Sequence, residues 1–333
     1  MSQVVPRSIF YVGKRPHAAW GWDLHIKNAD FIDDIDPDYF EFVASTMRAQ
    51  FGGANEQRAS IAIRSIYHHA LETFFLLIVG AIQAPHCMPG WVNIVSTHEL
   101  RDLIARILDG SMPIKSVFQQ ETLNWSEVAE AIFQFWSGDA DSKAIQIAQF
   151  STAWEKLSRA WLMDFHQFEH NAIKHGFRVK PGGFPLRLQV ARPEGELVQP
   201  GDVLDLGGSD YGSHFFVADR LGGSNNEGYK PNFKLTSHHL NWSVEAMMGQ
   251  ISLVSLSIAN IRHCIRTYLG QGDGEYRTND DPAAFTAPFE LKCGPSAMTF
   301  DPSLEAEDIV CLSKDDIAQA YENWQKSAEY SDG

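Results

Sequence analysis

The chain has 333 residues, 44% hydrophobic and 21% charged, a composition that supports a sizeable core and excludes a disordered or collagen-like polymer. Its 27 Lys and Arg against 42 Asp and Glu give a net charge of -15, which excludes general wrapping of DNA and leaves nucleic acid only local basic patches. Cys87, Cys264, Cys293 and Cys311 contain no CxxC pair and read as reduced thiols. The N-terminal residues carry no signal-like pattern and the longest apolar run is Thr73 to Ile82, so the expectation is a cytoplasmic protein with no membrane contact.

Residues 1–36 mix aromatics, Gly, Pro and a group of acids without a lasting period, and read as an irregular N-terminal arm. Pro37 suits the first turn of a helix to about Gln50. Ala54 to Gln83 then runs without Pro, with Ile63, Ile66, Ala70, Phe74, Leu77 and Ile78 at helical steps, and becomes apolar all round, as a central helix does. Further helices are expected at 91–109, 126–137 and 141–175, with Gly176 as the left-handed stop of the last. Ser126 and Ser243, each in a Leu-Asn-Trp-Ser segment, are the expected N-caps.

From Pro181 the texture changes. Leu186, Leu188 and Val190 alternate with polar residues, Pro200-Gly201-Asp202 reads as a turn, and Val203–Leu206 and His214–Val217 read as short strands. His238 and His239 precede a helix and are expected to face solvent or cap it. Ser243 to Leu269 returns to a long helix with Met247, Ile251, Val254, Ile258, Ile261 and Ile265 on one stripe. The expected fold is therefore mainly α. A long-helix bundle (37–180) is interrupted by a small antiparallel β insertion (181–241) and completed by the helix at 242–270. Residues 271–333 form an acidic tail, 14 Asp and Glu against 4 Lys and Arg, with a short helix at Lys314–Lys326 docking through Ile317, Tyr321 and Trp324.

The densest chemistry lies at the end of the 141–175 helix, where His166, Glu169, His170, Asn171, Lys174, His175 and Arg178 fall together. Polar and cationic residues favour helix C-termini for reasons of capping and dipole alone, which is the plain structural alternative. His166-x-x-Glu169-His170 also puts two imidazoles on one face beside a carboxylate, the pattern of inverted zinc peptidases. His69-x-x-Glu72 repeats the His-x-x-Glu spacing, so two facing helices are candidates for a metal site in a hydrolase, although di-iron bundles carry the reverse order. No residue pattern identifies a cofactor.

Asn171-x-x-Lys174-His175-Gly176 at the end of a long helix resembles the HEPN (higher eukaryotes and prokaryotes nucleotide-binding) family, in which an Arg, a polar residue and a His lie close together in a helical bundle. His170 stands where that family has Arg, and the literal Arg-x4-His spacing falls instead on Arg64 to His69. The resemblance implies metal-free action on RNA or a nucleotide. It assigns His175 as the acid–base group, Asn171 as its orienting partner, and Lys174 and Arg178 as phosphate contacts. From Asn171 to Arg187 there are four cations and no acid, a local basic patch in an acidic chain. A noncatalytic interaction protein is the third reading. The apolar end of the Ala54–Gln83 helix, with Trp154 and Trp161, offers more hydrophobic face than a short neighbour covers, so a homodimer is expected.

Overall fold

Helix α3 (Glu56–Gln83) runs through the middle of the molecule, because its C-terminal half is apolar on every side and Phe74, Phe75, Ile78, Val79 and Ile82 can all be buried at once. Helix α9 (Val244–Tyr268) lies along it in the most extensive helix pairing of the fold. The stripe Met247, Ile251, Val254, Ile258, Ile261 and Ile265 is the buried face of α9. Ser243 caps that helix by accepting from the Ala246 amide at 3.1 Å. The chain thus leaves the bundle for a sheet and returns to it. The computed structural model describes residues 6–110, 123–189, 203–220, 233–272, 274–291, 293–301 and 314–331. The expected turn at Pro200-Gly201-Asp202 and the thiol of Cys311 lie outside these residues.

The N-terminal arm is not irregular. It forms a hairpin, β1 (Ser8–Val12) with β2 (Arg15–Ala19), followed by α1 (Leu24–Asp33). Phe10, Val12 and Ile32 enter the core, and Asn28 ties the arm to α4 (Met88–Ile94) by donating to the Pro85 carbonyl at 2.9 Å and accepting from the Met88 amide at 2.8 Å. Helix α2 is Tyr39–Arg48. At Gly80 the α4 side chains come so close that a Cβ would stand 3.0 Å from Met88.

Two expected helices divide. The first ends as α4, and Ser96 starts α5 (Thr97–Asp109) with a capping box to Glu99, each backbone amide reaching the other's side chain at 3.2 Å. The second becomes α7 (Ala140–Leu162) and α8 (Asp164–Lys174), broken where Met163 turns to extended ψ. Arg101 makes the break tolerable by donating to the carbonyls of Trp161 (2.8 Å) and Leu162 (2.7 Å), which the interrupted helix leaves unsatisfied. Helix α6 (Trp125–Ile132) is capped by Asn124 and not by Ser126: Asn124 Oδ1 accepts from the amides of Ser126 (2.9 Å) and Glu127 (3.0 Å).

The sheet orders its strands as β3 (Lys180–Pro181), β6 (Gly212–Arg220), β7 (Phe233–Asn241) and β8 (Ala297–Phe300), all antiparallel, with β4 (Pro185–Gln189) and β5 (Val203–Gly208) as a separate pair. The insertion is therefore incomplete by itself, since the edge strand β8 comes from the acidic tail. His238 and His239 belong to β7 and point to opposite faces, His238 into the core. Past the short α10 (Ala287–Glu290), α11 (Lys314–Ser331) leaves Ile317, Tyr321 and Trp324 41%, 57% and 63% exposed, which corrects the expected docking.

The surfaces that suggest a homodimer in the sequence are covered within one chain. Trp154 and Trp161 are buried, and Trp154 donates its indole N–H to Ser257 of α9 at 2.8 Å. By length and composition α3 and α9 are each apolar enough to cross a membrane, and most of each apolar window is buried inside the protein.

Candidate functional site

Arg64 and His68 stand one turn apart on the same face of α3, and Glu169 of α8 is brought opposite them. The Glu169 carboxylate is wholly buried. Its Oε2 accepts from Arg64 Nε (2.9 Å) and Nη2 (2.6 Å) and from His68 Nε2 (3.1 Å). Its Oε1 accepts from the Ser213 hydroxyl of β6 and from Trp242 Nε1 at 3.3 Å, at the entry to α9. One carboxylate thus joins two helices, the sheet and the segment that returns the chain to the bundle.

The imidazoles of His166 and His170 flank this centre, with His68–His166 ring centroids 4.2 Å apart and His68 and His170 stacked at 5.0 Å. Burial alone pushes the Glu169 carboxyl up, but the Arg64 guanidinium and the His68 bond outweigh it and hold the group well below the usual carboxylate range. Burial lowers His68 to about 4, against the pull of Glu169, and takes His166 well below its ordinary value; it lowers His170 too, against Glu72. At neutral pH the centre is one guanidinium–carboxylate pair among neutral imidazoles. Because an ionised carboxylate only accepts, His68 carries its proton on Nε2 and leaves Nδ1 as a bare acceptor. His68 Nδ1, His166 Nε2 and His170 Nε2 are buried with no hydrogen-bond partner among the described residues.

A cleft of about 340 Å³ opens beside the centre, between the start of α8, the end of β7, the first turns of α9 and the segment around 288–297. Arg64, Tyr67, His166, Trp242, Gln250 and Cys293 are among its walls. Tyr67 donates its hydroxyl to Gln250 Oε1 at 2.6 Å, and Gln250 donates in turn to the Pro288 carbonyl at 3.0 Å. Burial pushes the Tyr67 hydroxyl up to about 12 and the Cys293 thiol upward as well, so both keep their protons at neutral pH. Arg64 spends Nε and Nη2 on Glu169, and among the described residues its Nη1 donates to the Met247 sulfur, at 3.6 Å.

The residues singled out from the sequence separate into two groups. His166, Glu169 and His170 face inward. Asn171, Lys174, His175 and Arg178 are exposed at the end of α8 and beyond it, away from the cleft walls, and Lys174 pairs with Glu72 at 3.2 Å. His69 is also exposed, its ring 6.1 Å from that of His170, while Glu72 stands 3.8 Å from His170 Nε2, beyond hydrogen-bond distance. The His-x-x-Glu pair on α3 is thus turned by one residue, and it is His68 that meets Glu169. Among the described residues no three His, Cys, Asp or Glu side chains are arranged to hold a metal ion. Arg64 already supplies the positive charge that the buried carboxylate requires.

Arg64 as the partner of Glu169, and His68, Ser213 and Trp242, are not found by motif spacing. The i, i+4 relation of Arg64 and His68 is the signal that finds the first pair, since residues five apart point about 140° from each other. Ser213 and Trp242 come from distant sequence and carry no local signal. Compared with known proteins, the chain matches no family model, no curated protein and no solved structure.

Proposed function

We propose that the protein binds a nucleotide-class ligand in the cleft beside Arg64 and His166, as part of an action on RNA or nucleotides that needs no metal ion. The observation that carries this reading is a neutral His166 on the wall of a cleft, with its buried Nε2 lacking a hydrogen-bond partner among the described residues. Buried polar atoms are normally hydrogen-bonded, and a nucleobase edge offers both a donor and an acceptor to a neutral imidazole. Tyr67 and Trp242 supply aromatic walls, Arg64 Nη1 has hydrogens left for an anionic oxygen, and the volume is that of a small-molecule site. The HEPN resemblance, although its residues lie elsewhere on α8, points to the same ligand class.

Titration calorimetry with the four nucleoside monophosphates tests it. At least one is expected to bind, and His166→Phe is expected to weaken that binding roughly tenfold, the value of one lost hydrogen bond. Absence of heat with all four nucleotides overturns the reading.

The exposed strip of Asn171, Lys174, His175 and Arg178 favours a second reading, cleavage of RNA at the surface, because all four are accessible to a polymer that no cleft of this size admits. Its acid–base group is His175 and its phosphate contacts are Lys174 and Arg178.

A further inference from the structure

The two faces of the four-stranded sheet differ in kind. Strand alternation places Phe215, His238 and Leu240 on the inner face, buried, with the His238 ring 5.6 Å from Phe165 and 5.8 Å from Phe168 of α8. The register fixes the composition of the outer face. Lys180, His214, His239 and Met298 form one row across all four strands, and Phe216, Ser237 and Phe300 form the next. Phe216 is 62% and Phe300 54% exposed, and Phe233, farther along β7 on the same face, is 62% exposed. Bulky aromatic residues on the solvent side of a sheet contribute nothing to the core, and three on one small sheet form a patch of the kind that marks a binding surface.

Between these rings His214 and His239 stack in parallel, 4.1 Å apart, on the Ser237 hydroxyl, which lies 2.9 Å from one Nε2 and 3.2 Å from the other. One hydroxyl can donate to one imidazole and accept from the other, so both rings are held flat and uncharged as a polar step in an aromatic surface. Burial lowers both imidazoles, and Lys180 adds to the effect on His214. Lys180 is the β3 end of the row on this face, and the exposed Arg178 lies two residues before it in the basic stretch from Asn171 to Arg187. The carboxylates of Asp219 and Asp301 are on the opposite face, bonded to Thr236 (3.1 Å) and Lys234 (2.8 Å). Rings that accept any flat partner, next to cations that follow a backbone, suit single-stranded nucleic acid better than a protein surface.

We propose that the outer face of this sheet is a platform for single-stranded RNA, with bases stacked on Phe216 and Phe300 and the phosphate backbone along Lys180 and Arg178. The choice of nucleic acid rests on the function proposed above, while the surface is distinct from the cleft. The two are adjacent all the same. Leu240 and Ala297 wall the cleft, and His239 and Met298, one residue away on the same strands, start the platform on the other face. A strand lying across the platform can therefore turn one end toward Arg64 and His166.

Fluorescence anisotropy with a labelled uridine oligonucleotide about twelve nucleotides long measures this directly. The wild-type chain is expected to bind it, more weakly as salt rises, and to bind a duplex of equal length less well. Phe216→Ala with Phe300→Ala is expected to weaken binding roughly ten- to a hundredfold, at the value of one to two stacked bases. Both side chains are exposed, so an unchanged thermal midpoint confirms that the variant is folded. Equal binding by this variant and the wild type overturns the proposal, as does no binding by the wild type. A doubled mass in sedimentation that the same variant returns to about 37 kDa also overturns it, because the face is then a contact between two copies. Mononucleotide binding separates this outcome from that of the cleft. Loss of mononucleotide binding in His166→Phe, with oligonucleotide binding indifferent to Phe216 and Phe300, leaves the cleft and removes the platform. The reverse pattern leaves the platform and removes the cleft.

Discussion

Helix α8 presents two different chemistries within about two turns. At Glu169 a carboxylate without solvent contact is bonded by Arg64, His68, Ser213 and Trp242, and its neighbouring imidazoles are kept neutral by burial. From Asn171 onward the side chains of Lys174, His175 and Arg178 stand in water, and the ion pair of Lys174 with Glu72 on this strip is itself partly exposed. The first stretch fixes protonation states and ties the sheet to the bundle. The second leaves its groups free to move and to meet a polymer. Proximity in sequence is thus a poor guide to shared function when a helix passes from core to surface.

Glu169 separates the two stretches most sharply. Glu169→Ala removes the acceptor of four donating side chains and leaves the Arg64 guanidinium buried without its counter-charge, which is expected to cost about 3–5 kcal/mol. Urea unfolding measures it, and a loss below about 1 kcal/mol would mean that the network does not hold the fold. Glu169→Gln retains the shape, and its cost should lie between those of alanine and the wild type.

The second test is pH. The lowered His68 value means that the unfolded chain binds a proton below about pH 6.5 which the folded chain refuses until about pH 4. Stability from this group is therefore complete above pH 6.5 and falls across that window, by on the order of 3 kcal/mol. His166 and His170, also lowered, act in the same direction. Glu169, lowered too, holds its stabilisation above the ordinary carboxylate range and loses it in stronger acid. A stability profile that stays flat from pH 7 to pH 5 would show that these imidazoles take up protons freely in the folded state, and the contrast along α8 would disappear.

The elements that could be read from sequence are those with long periods. The stripe on α9 and the apolar run of α3 locate the core, and their pairing makes the β segment an insertion. The misread boundaries have local causes. The break at Met163 depends on Arg101, sixty residues away, which satisfies the carbonyls it exposes. The sheet is completed by β8, a four-residue strand in an acidic tail with no alternation long enough to detect. At the site, His166, Glu169 and His170 can be recognised as unusual, but their partners cannot. Ser213 and Trp242 reach Glu169 only because β6 is folded against α8 and the segment leading into α9 passes the same carboxylate. His69 and His68 differ by one position, and the helical phase relative to α8, which only tertiary packing sets, decides which of them faces inward.

The smallest effect on stability is expected at His175, and it is informative for that reason. His175 is exposed at the C-cap of α8, and the left-handed stop is made by Gly176 at φ +103°, so the imidazole is not what ends the helix. His175→Ala should change unfolding free energy by less than about 0.5 kcal/mol, as surface substitutions away from caps and cores do. Any RNA cleavage by the wild type should nevertheless be abolished in this variant if the exposed strip is the reacting surface, since no second imidazole follows on that strip. Cleavage that survives His175→Ala but is lost in His166→Phe would move the chemistry into the cleft. A destabilisation of 2 kcal/mol or more, by the same scale, would show that the end of α8 belongs to the structural half of the helix after all.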